Sequence, residues 1–206
     1  MIKTKMHLYY GLFFFLIQTL VLIRNYIIGF NYFYWFCDFA PLLLSIAFFI
    51  NNKSLVKGII NLGLIPQIIF LVDFIYLTTL GMAPLGITLP ILATNSFSIL
   101  STIFVHIATF MALIFTIKIK PDKKTLIYSI VFMFGVYIST LIFTSSSEYT
   151  NFVYSSGNLL NAFNFTIPYS VFLWPILAIL LVILPTQGIQ YVLYRIFRKK
   201  KLIGFK

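Results

Sequence analysis

The sequence is poor in charge, and most of its charge is of one sign. Only 9% of the 206 residues are charged, with 15 Lys or Arg against 4 Asp or Glu. A soluble domain usually has roughly a quarter charged residues, whereas 61% of this chain is hydrophobic and 19% is aromatic. The polar residues are too few to cover a water-soluble globule, so the composition excludes that class and predicts an integral membrane protein.

Cysteine and histidine are scarce as well. The single cysteine, Cys37, excludes an internal disulfide and a thiolate metal site. The only histidines are His7 and His106. No Gly-rich phosphate loop, His-Glu-x-x-His motif or nucleophile elbow occurs in the sequence. We therefore expect neither a bound metal nor a cofactor.

Long apolar runs are what the sequence has in abundance. A membrane-spanning helix needs about 20 mostly apolar residues. The predicted fold is all-α: a single transmembrane domain over 1–206, a polytopic integral membrane helix bundle with six transmembrane helices. The predicted spans lie at about 8–28, 32–50, 59–80, 97–117, 125–143 and 169–194, before a basic tail at 195–206. No small-x-small cleavage site follows the first run, so we interpret it as a retained helix and not as a signal peptide.

The basic residues predict the orientation of these spans. Lys and Arg concentrate in cytoplasmic flanks, and 14 of the 15 lie in alternate flanks of the six predicted spans. The remaining one, Arg24, is assigned to the first loop on the other side. We therefore expect both termini in the cytoplasm and a multi-pass protein of the cell membrane.

The net charge of +11 also bears on the partners. Nucleic acid is not expected, because its binding needs basic residues on a solvated face. Membrane lipids are the expected partners, and Arg198, Lys199, Lys200 and Lys201 predict a tail anchored on anionic headgroups. A specific lipid-binding site in the tail is the alternative. The outer loop 144–167 is rich in aromatic residues and predicts a lid on the membrane surface, with a glycosylation sequon at Asn164.

Ionisable groups inside predicted spans are the strongest functional signal, because each costs several kcal/mol to insert and usually faces a cavity or a partner. Cys37 and Asp38 lie in the second span, Asp73 in the third and His106 in the fourth. At 1.5 Å per residue, these groups lie about 8 to 14 Å below the outer ends of their spans. We expect them to converge in the outer half of the membrane. The alternative is that they are scattered and bonded to backbone carbonyls or Tyr hydroxyls.

The fourth span carries a polar stripe as well. Its members share one helical face, within roughly 80° of arc. This pattern predicts either a lined cavity or a hydrogen-bonded seam with another helix. The stripe consists of Asn95, Ser98, Thr102, His106 and Thr109.

Short motifs recur along nearly the whole chain. They are Trp35-Phe36-Cys37-Asp38, Asn51-Asn52-Lys53 with Leu55, Pro66-Gln67, Val72-Asp73-Phe74, Gly86-Ile87-Thr88, His106, Lys120-Pro121-Asp122-Lys123, Asn151-Phe152-Val153-Tyr154 and Leu184-Pro185-Thr186. Together they resemble a family of prokaryotic polytopic membrane proteins that has no assigned activity. In that family Asn is usual at the position of Asp38, and Trp at that of Phe70.

A further likeness is to the YwaF-like and androgen-induced-protein-like membrane families. Some of their members are acyltransferases or hydrolases of lipid esters, with a nucleophilic Thr or Cys on an early helix and a His on a later one. The resemblance implies Cys37 as nucleophile and His106 as general base, with Asn151 near a recurrent loop Asn.

These residues support a chemical hypothesis. A His within hydrogen-bond reach activates a thiol, and Asp73 is the candidate to orient that His as a third catalytic member. Candidate substrate-binding residues are Asp38, Thr102 and Asn151. The predicted function is an intramembrane lipid acyl-ester transferase or hydrolase near the outer leaflet.

Two alternatives remain open from the sequence. Most free cysteines are inert packing, and Asp73 with His106 is also typical of a small-solute or proton-coupled transporter. A carrier should tolerate loss of Cys37, whereas a thiol enzyme should not. A non-catalytic membrane scaffold is the third hypothesis.

Overall fold

The structure is a computed structural model that describes residues 5–28, 35–88, 94–145, 151, 153 and 171–203. Within these residues the chain forms six helices and no strand. The sixth, α6, consists of four consecutive pieces: a 3₁₀ turn at Val171–Leu173, an α-helical turn at Trp174–Leu177, a π-helical segment at Ala178–Ile183 and an α-helix at Leu184–Ile203. The others are α1 (Met6–Ile28), α2 (Phe36–Phe49), α3 (Lys53–Leu80), α4 (Ser96–Thr116) and α5 (Lys123–Phe143).

The predicted all-helical class is confirmed, and the apolar lengths suggest a membrane protein. Five helices, α1, α3, α4, α5 and α6, are long and apolar enough to cross a membrane. The exception is α2, which has 14 residues. It therefore rises about 21 Å, compared with a hydrocarbon core of about 30 Å. The predicted span 32–50 contains α2, and its first residues, 32–34, lie outside the described part.

Successive helices alternate in direction. This follows from the starts and ends of helices that meet at one end of the bundle. The start of α1, the end of α2, the start of α3 and the end of α4 line one cavity. At the start of α5, Asp122 accepts a hydrogen bond of 2.9 Å from the Ser54 hydroxyl near the start of α3. We call this the basic end, because it carries Lys5, Lys53, Lys118, Lys120, Lys123 and Lys124.

The sixth helix runs antiparallel to α5. Trp174, at its start, stacks on Tyr137 in the second half of α5, with ring centroids 5.6 Å apart. Farther along α6, Gln187 accepts a hydrogen bond of 2.7 Å from Asn61 in the first half of α3. The start of α6 therefore lies at the end of the bundle opposite the basic end.

Local sequence explains where the helices begin and end. Asn52 caps α3, since its side chain accepts a bond of 3.0 Å from the Leu55 N–H. At its other end, α3 stops at Gly81, whose φ of 69° is a left-handed conformation that glycine adopts without strain. Asp122 and Thr125 form a capping box at the start of α5.

The core lies around α3, which packs against α2, α4, α5 and α6. Helices α3 and α4 approach closely at Gly63, where an added Cβ would lie 2.6 Å from Thr109 Cγ2. A group of aromatic rings fills the space between α1, α2 and α4 on the side of the basic end. Its members are Tyr10, Phe13, Phe14, Phe48 and Phe115.

Candidate functional site

A buried ion pair joins α1 and α2. Arg24 Nη2 donates to Asp38 Oδ2, and the two side chains are only 4% and 3% exposed. Asn25 Nδ2 donates to the same carboxylate oxygen at 3.0 Å, and its own Oδ1 accepts from Arg24 Nε at 3.0 Å and Nη2 at 2.8 Å. The assignment of Arg24 to an outer loop is wrong. It lies inside α1, where its charge is balanced by Asp38.

The same guanidinium reaches α4. Arg24 Nη1 donates to Thr102 Oγ1 at 3.0 Å, and the Thr102 carbonyl lies 2.8 Å from His106 Nδ1. A carbonyl oxygen only accepts, so Nδ1 carries the proton and a neutral ring leaves Nε2 as a lone-pair acceptor. Within the described residues Nε2 has no hydrogen-bond partner. The ring also stacks on Phe70, with centroids 3.4 Å apart.

The Cys37 thiol belongs to this arrangement. It is partly exposed, and its Sγ donates to Asp38 Oδ1 at 3.7 Å. A carboxylate oxygen only accepts, so the proton of this hydrogen bond lies on the sulfur and Cys37 is present as the thiol. We call the six connected residues the Arg24 cluster; they are Arg24, Asn25, Cys37, Asp38, Thr102 and His106.

Asp73 is buried but is engaged elsewhere. Both of its carboxylate oxygens accept backbone N–H groups, from Leu85 at 2.8 Å and from Ile87 and Thr88 at 3.0 Å. The Thr88 hydroxyl adds a bond of 2.9 Å. Asp73 thereby fixes the segment that follows α3, and among the described residues it makes no hydrogen bond to the Arg24 cluster. The contact that orients His106 comes from the Thr102 carbonyl instead.

Asp73 and His106 lie in predicted spans, so their side chains are expected to be buried inside the bundle. The structure confirms this burial. Asp73 is 1% exposed and His106 is 7% exposed. Both side chains therefore lie inside the bundle and not against lipid, as the high cost of an unpaired charge in hydrocarbon requires.

Asn151 ties three helices together. Its Oδ1 accepts from the Phe36 N–H at the start of α2 at 2.8 Å, and its Nδ2 donates to Thr140 Oγ1 on α5 at 3.0 Å. Its carbonyl accepts from Trp174 Nε1 on α6 at 2.9 Å. The amide is thus occupied by contacts within the fold, and this geometry gives Asn151 a positioning role at the entry to α2.

The polar stripe of α4 serves two purposes. Its middle part, Thr102 and His106, belongs to the Arg24 cluster. Farther along, Thr109 forms a seam with α3, since its hydroxyl donates to Gln67 Oε1 at 2.5 Å and its N–H approaches the same oxygen at 3.2 Å. At the start of the stripe, Asn95 caps α4 by accepting from the Ser98 N–H at 2.8 Å.

A second cluster of polar side chains lies buried between α3, α5 and α6. The sequence did not predict it. Asn61 Nδ2 donates to Ser129 Oγ at 3.0 Å and to Gln187 Oε1 at 2.7 Å. Gln190 Nε2 donates to Asn61 Oδ1 at 2.6 Å and to the Lys57 carbonyl at 3.0 Å. Lys57 is wholly buried inside α3, so its assignment to a solvated flank is wrong. The spacing of Lys57 and Asn61, one helical turn apart, is the signal that identifies this face.

Several predictions fall on residues that the structure does not describe. These include most of the predicted outer-loop lid at 144–167, the sequon at Asn164, and the side chains of Lys199, Lys200 and Lys201. In the described part of the chain, no group of three or more His, Cys, Asp or Glu side chains is arranged to hold a metal ion.

Comparison with protein-family models, with curated proteins and with solved structures returned no match for this chain.

Proposed function

We propose that all six helices, including the short α2, cross the cell membrane and that both termini are cytoplasmic. The alternating helix directions support this topology. Arg24 lies within α1, so none of the predicted outer flanks contains a Lys or Arg. Basic residues on one side only are what the positive-inside rule expects. The basic tail then meets anionic headgroups at the inner surface.

We further infer that the Arg24 cluster is the active site of an intramembrane lipid acyl-ester transferase or hydrolase. One observation carries this inference: His106 presents an unpaired Nε2 in the same cluster as the only thiol of the chain. The Thr102 carbonyl fixes the ring tautomer, which is the role that a third residue has in a Ser-His-Asp triad. Arg24 supports this arrangement through Thr102.

The proposed reaction begins when Cys37 Sγ leaves Asp38 and gives its proton to His106 Nε2. The thiolate attacks the acyl carbonyl carbon, the S–C bond forms, and the ester C–O bond breaks. The leaving alkoxide takes the proton from the imidazolium. Water or a second alcohol then gives its proton to His106 Nε2 and attacks the thioester carbon, and the C–S bond breaks. The imidazolium returns that proton to Sγ, which restores the Cys37 thiol. The products are a free acid or a new ester.

Labelling by a fatty-acyl chloroacetamide, which alkylates thiols, tests the proposal on protein in liposomes. We expect wild-type protein to be labelled and Cys37→Ala to be unlabelled. In His106→Asn the amide retains a donor toward the Thr102 carbonyl but has no base at Nε2, so labelling should slow by roughly 100-fold. His7→Asn, which alters the only other histidine, is the matched control. Equal labelling rates in His106→Asn and His7→Asn would remove His106 as the base.

A carrier is the second candidate, favoured by the buried Arg24–Asp38 pair. An anionic solute that replaces Asp38 at Arg24 would release a carboxylate able to take a proton, and buried acids inside membranes commonly relay protons. Asp73, the acid predicted for this role together with His106, is instead held by backbone N–H groups. Uptake into proteoliposomes that survives Cys37→Ala and is lost in Asp38→Asn would favour the carrier over the enzyme.

A further inference from the structure

A cavity of about 320 Å³ opens at the basic end, between the ends of α1 to α4. This volume is at the lower end of the range for small-molecule sites. None of its lining residues belongs to the Arg24 cluster. They are His7, Tyr10, Ala47, Phe48, Asn51, Asn52, Lys53, Val56, Phe115, Thr116 and Ile119.

The polar side of the cavity is cationic. Lys53 is exposed at the first residue of α3, and within the described residues its ammonium group has no hydrogen bond or ion pair. Two further polar side chains of the lining, His7 and Asn51, have donor groups, whereas the Asn52 amide is engaged, since its Nδ2 donates to the Tyr128 hydroxyl at 3.4 Å. No lining residue is Asp or Glu. The mouth therefore favours a ligand with negative charge and several acceptor oxygens.

The rest of the lining is largely apolar, and its aromatic rings are well packed. Tyr10 stacks on Phe115, with ring centroids 4.0 Å apart and planes 8° apart. Phe48 lies edge-on to Tyr10 at 5.4 Å. These rings hold one another, so the apolar wall is formed before any ligand binds. The matching ligand is amphipathic, with an anionic head and a hydrocarbon body.

We propose that this cavity binds the phosphate headgroup and adjoining carbons of an anionic phospholipid. The phosphate meets Lys53 and the Asn51 amide at the mouth, and the glycerol carbons and first methylenes meet the rings of Tyr10, Phe48 and Phe115. A free phosphate would satisfy the mouth alone and leave the apolar wall uncovered. Basic pockets between helices at the cytoplasmic surface are suited to such headgroups.

Native mass spectrometry of the full chain in detergent tests this site. Dioleoyl phosphatidylglycerol is the probe, and dioleoyl phosphatidylcholine is the zwitterionic comparison. We expect the anionic lipid to bind at least fivefold more tightly. Lys53→Ala should weaken its binding about fivefold, as the loss of one basic contact at a membrane surface predicts. Lys53→Arg should retain it. Lys120→Ala, which removes an exposed lysine of the basic end that does not line the cavity, should change binding by less than twofold.

A second variant separates the cavity from surface charge. Ile119→Trp adds bulk to the lining without altering charge, and we expect it to weaken phosphatidylglycerol binding as well. Equal losses in Lys53→Ala and Lys120→Ala, or full binding in Ile119→Trp, would show general surface attraction and overturn the proposal. Displacement of the lipid by glycerol 3-phosphate at comparable concentration would overturn the lipid assignment in favour of a soluble phosphate ester.

Discussion

Arg24 and Asp38 show how two residues that are each unfavourable inside a membrane become acceptable together. Their charges neutralise one another, and Asn25 and Thr102 accept or donate at the remaining polar atoms. A buried ion pair adds little net stability over apolar residues of the same size, but removal of one partner leaves a buried charge unpaired. The stability of this part of the bundle therefore depends on the pair and not on either residue alone.

A double-mutant cycle tests this dependence. We expect Arg24→Met to destabilise the protein by about 3–5 kcal/mol, because Asp38 then remains buried without its cation. Asp38→Leu should have a comparable effect. The double variant should recover most of the loss, since it leaves no charge in the site. Thermal unfolding in detergent provides the measurement, and simple additivity of the two single losses would show that the pair is not coupled.

At the scale of helices, the loop between α4 and α5 contains a strong signal for the start of α5, the side chain of Asp122. Asp122 Oδ1 accepts from the Thr125 N–H at 2.8 Å and from its hydroxyl at 2.9 Å, and Oδ2 accepts from the Ser54 hydroxyl at 2.9 Å. Partial desolvation acts to raise the pKa of Asp122, but the hydrogen bonds from Thr125 and Ser54 outweigh it and lower that pKa. One side chain thus caps α5 and joins it to the start of α3.

Substitution of this cap has a specific pH dependence. Asp122→Ala should lower the free energy of unfolding by about 1 kcal/mol at neutral pH, whereas Asp122→Asn retains a capping side chain and should lose less. Because the folded-state pKa is lowered, the contribution of the charged form is present above the unfolded value of about 4 and is lost as the pH falls through the folded value. Melting curves of wild type and Asp122→Asn between pH 3 and 7 should therefore converge only below about pH 4. A constant difference over that range would contradict the role of the charge.

Apolar length predicted the helices well but not their internal structure. The apolar run at 59–80 correctly predicts most of α3. The helix starts earlier, at Lys53, because Asn52 caps it there, and Lys57 therefore lies inside the helix and is buried. The assignment of Arg24 to a loop failed because its partner, Asp38, is brought to it only by the packing of α1 on α2. Similarly, the N–H groups of Leu85, Ile87 and Thr88 that hold Asp73 have no signature in side-chain type. Contacts between residues far apart in the sequence determine the geometry of the site, and the periodicity of apolar residues does not predict such contacts.

At the scale of the whole molecule, the bundle separates its polar contents along its length. The Arg24 cluster involves the last turns of α1 and the first turns of α2, far from the basic end. The group formed by Asn61, Gln187 and Gln190 lies in the half nearer the basic end. A protein with six spans and cytoplasmic termini would therefore hold one polar centre in each half of the membrane.

Topology reporters test this arrangement. A reporter fused after Lys206 should lie in the cytoplasm, and one inserted near Gly157 should lie outside. This is expected because the Lys and Arg residues of the predicted flanks lie on one side. Insertions at Asn51 and Pro121, in the two short connections of the basic end, serve as internal controls and should match the reporter at the C-terminus. If the reporters at Gly157 and Lys206 fall on the same side, an even number of helices, or none, crosses between them and the six-span arrangement fails.

The π-helical segment Ala178–Ile183 has a consequence for the length of α6. Its hydrogen bonds close over five residues instead of four, so this stretch uses more chain for the same rise than an α-helix does. It immediately precedes Leu184 and Pro185, where the missing N–H of proline interrupts the normal pattern in any case. A related chain one residue shorter here could therefore keep both ends of the helix in place by closing the wide turn. Sequences compared across this helix should accordingly be aligned with a single-residue gap allowed inside an apparently continuous apolar span.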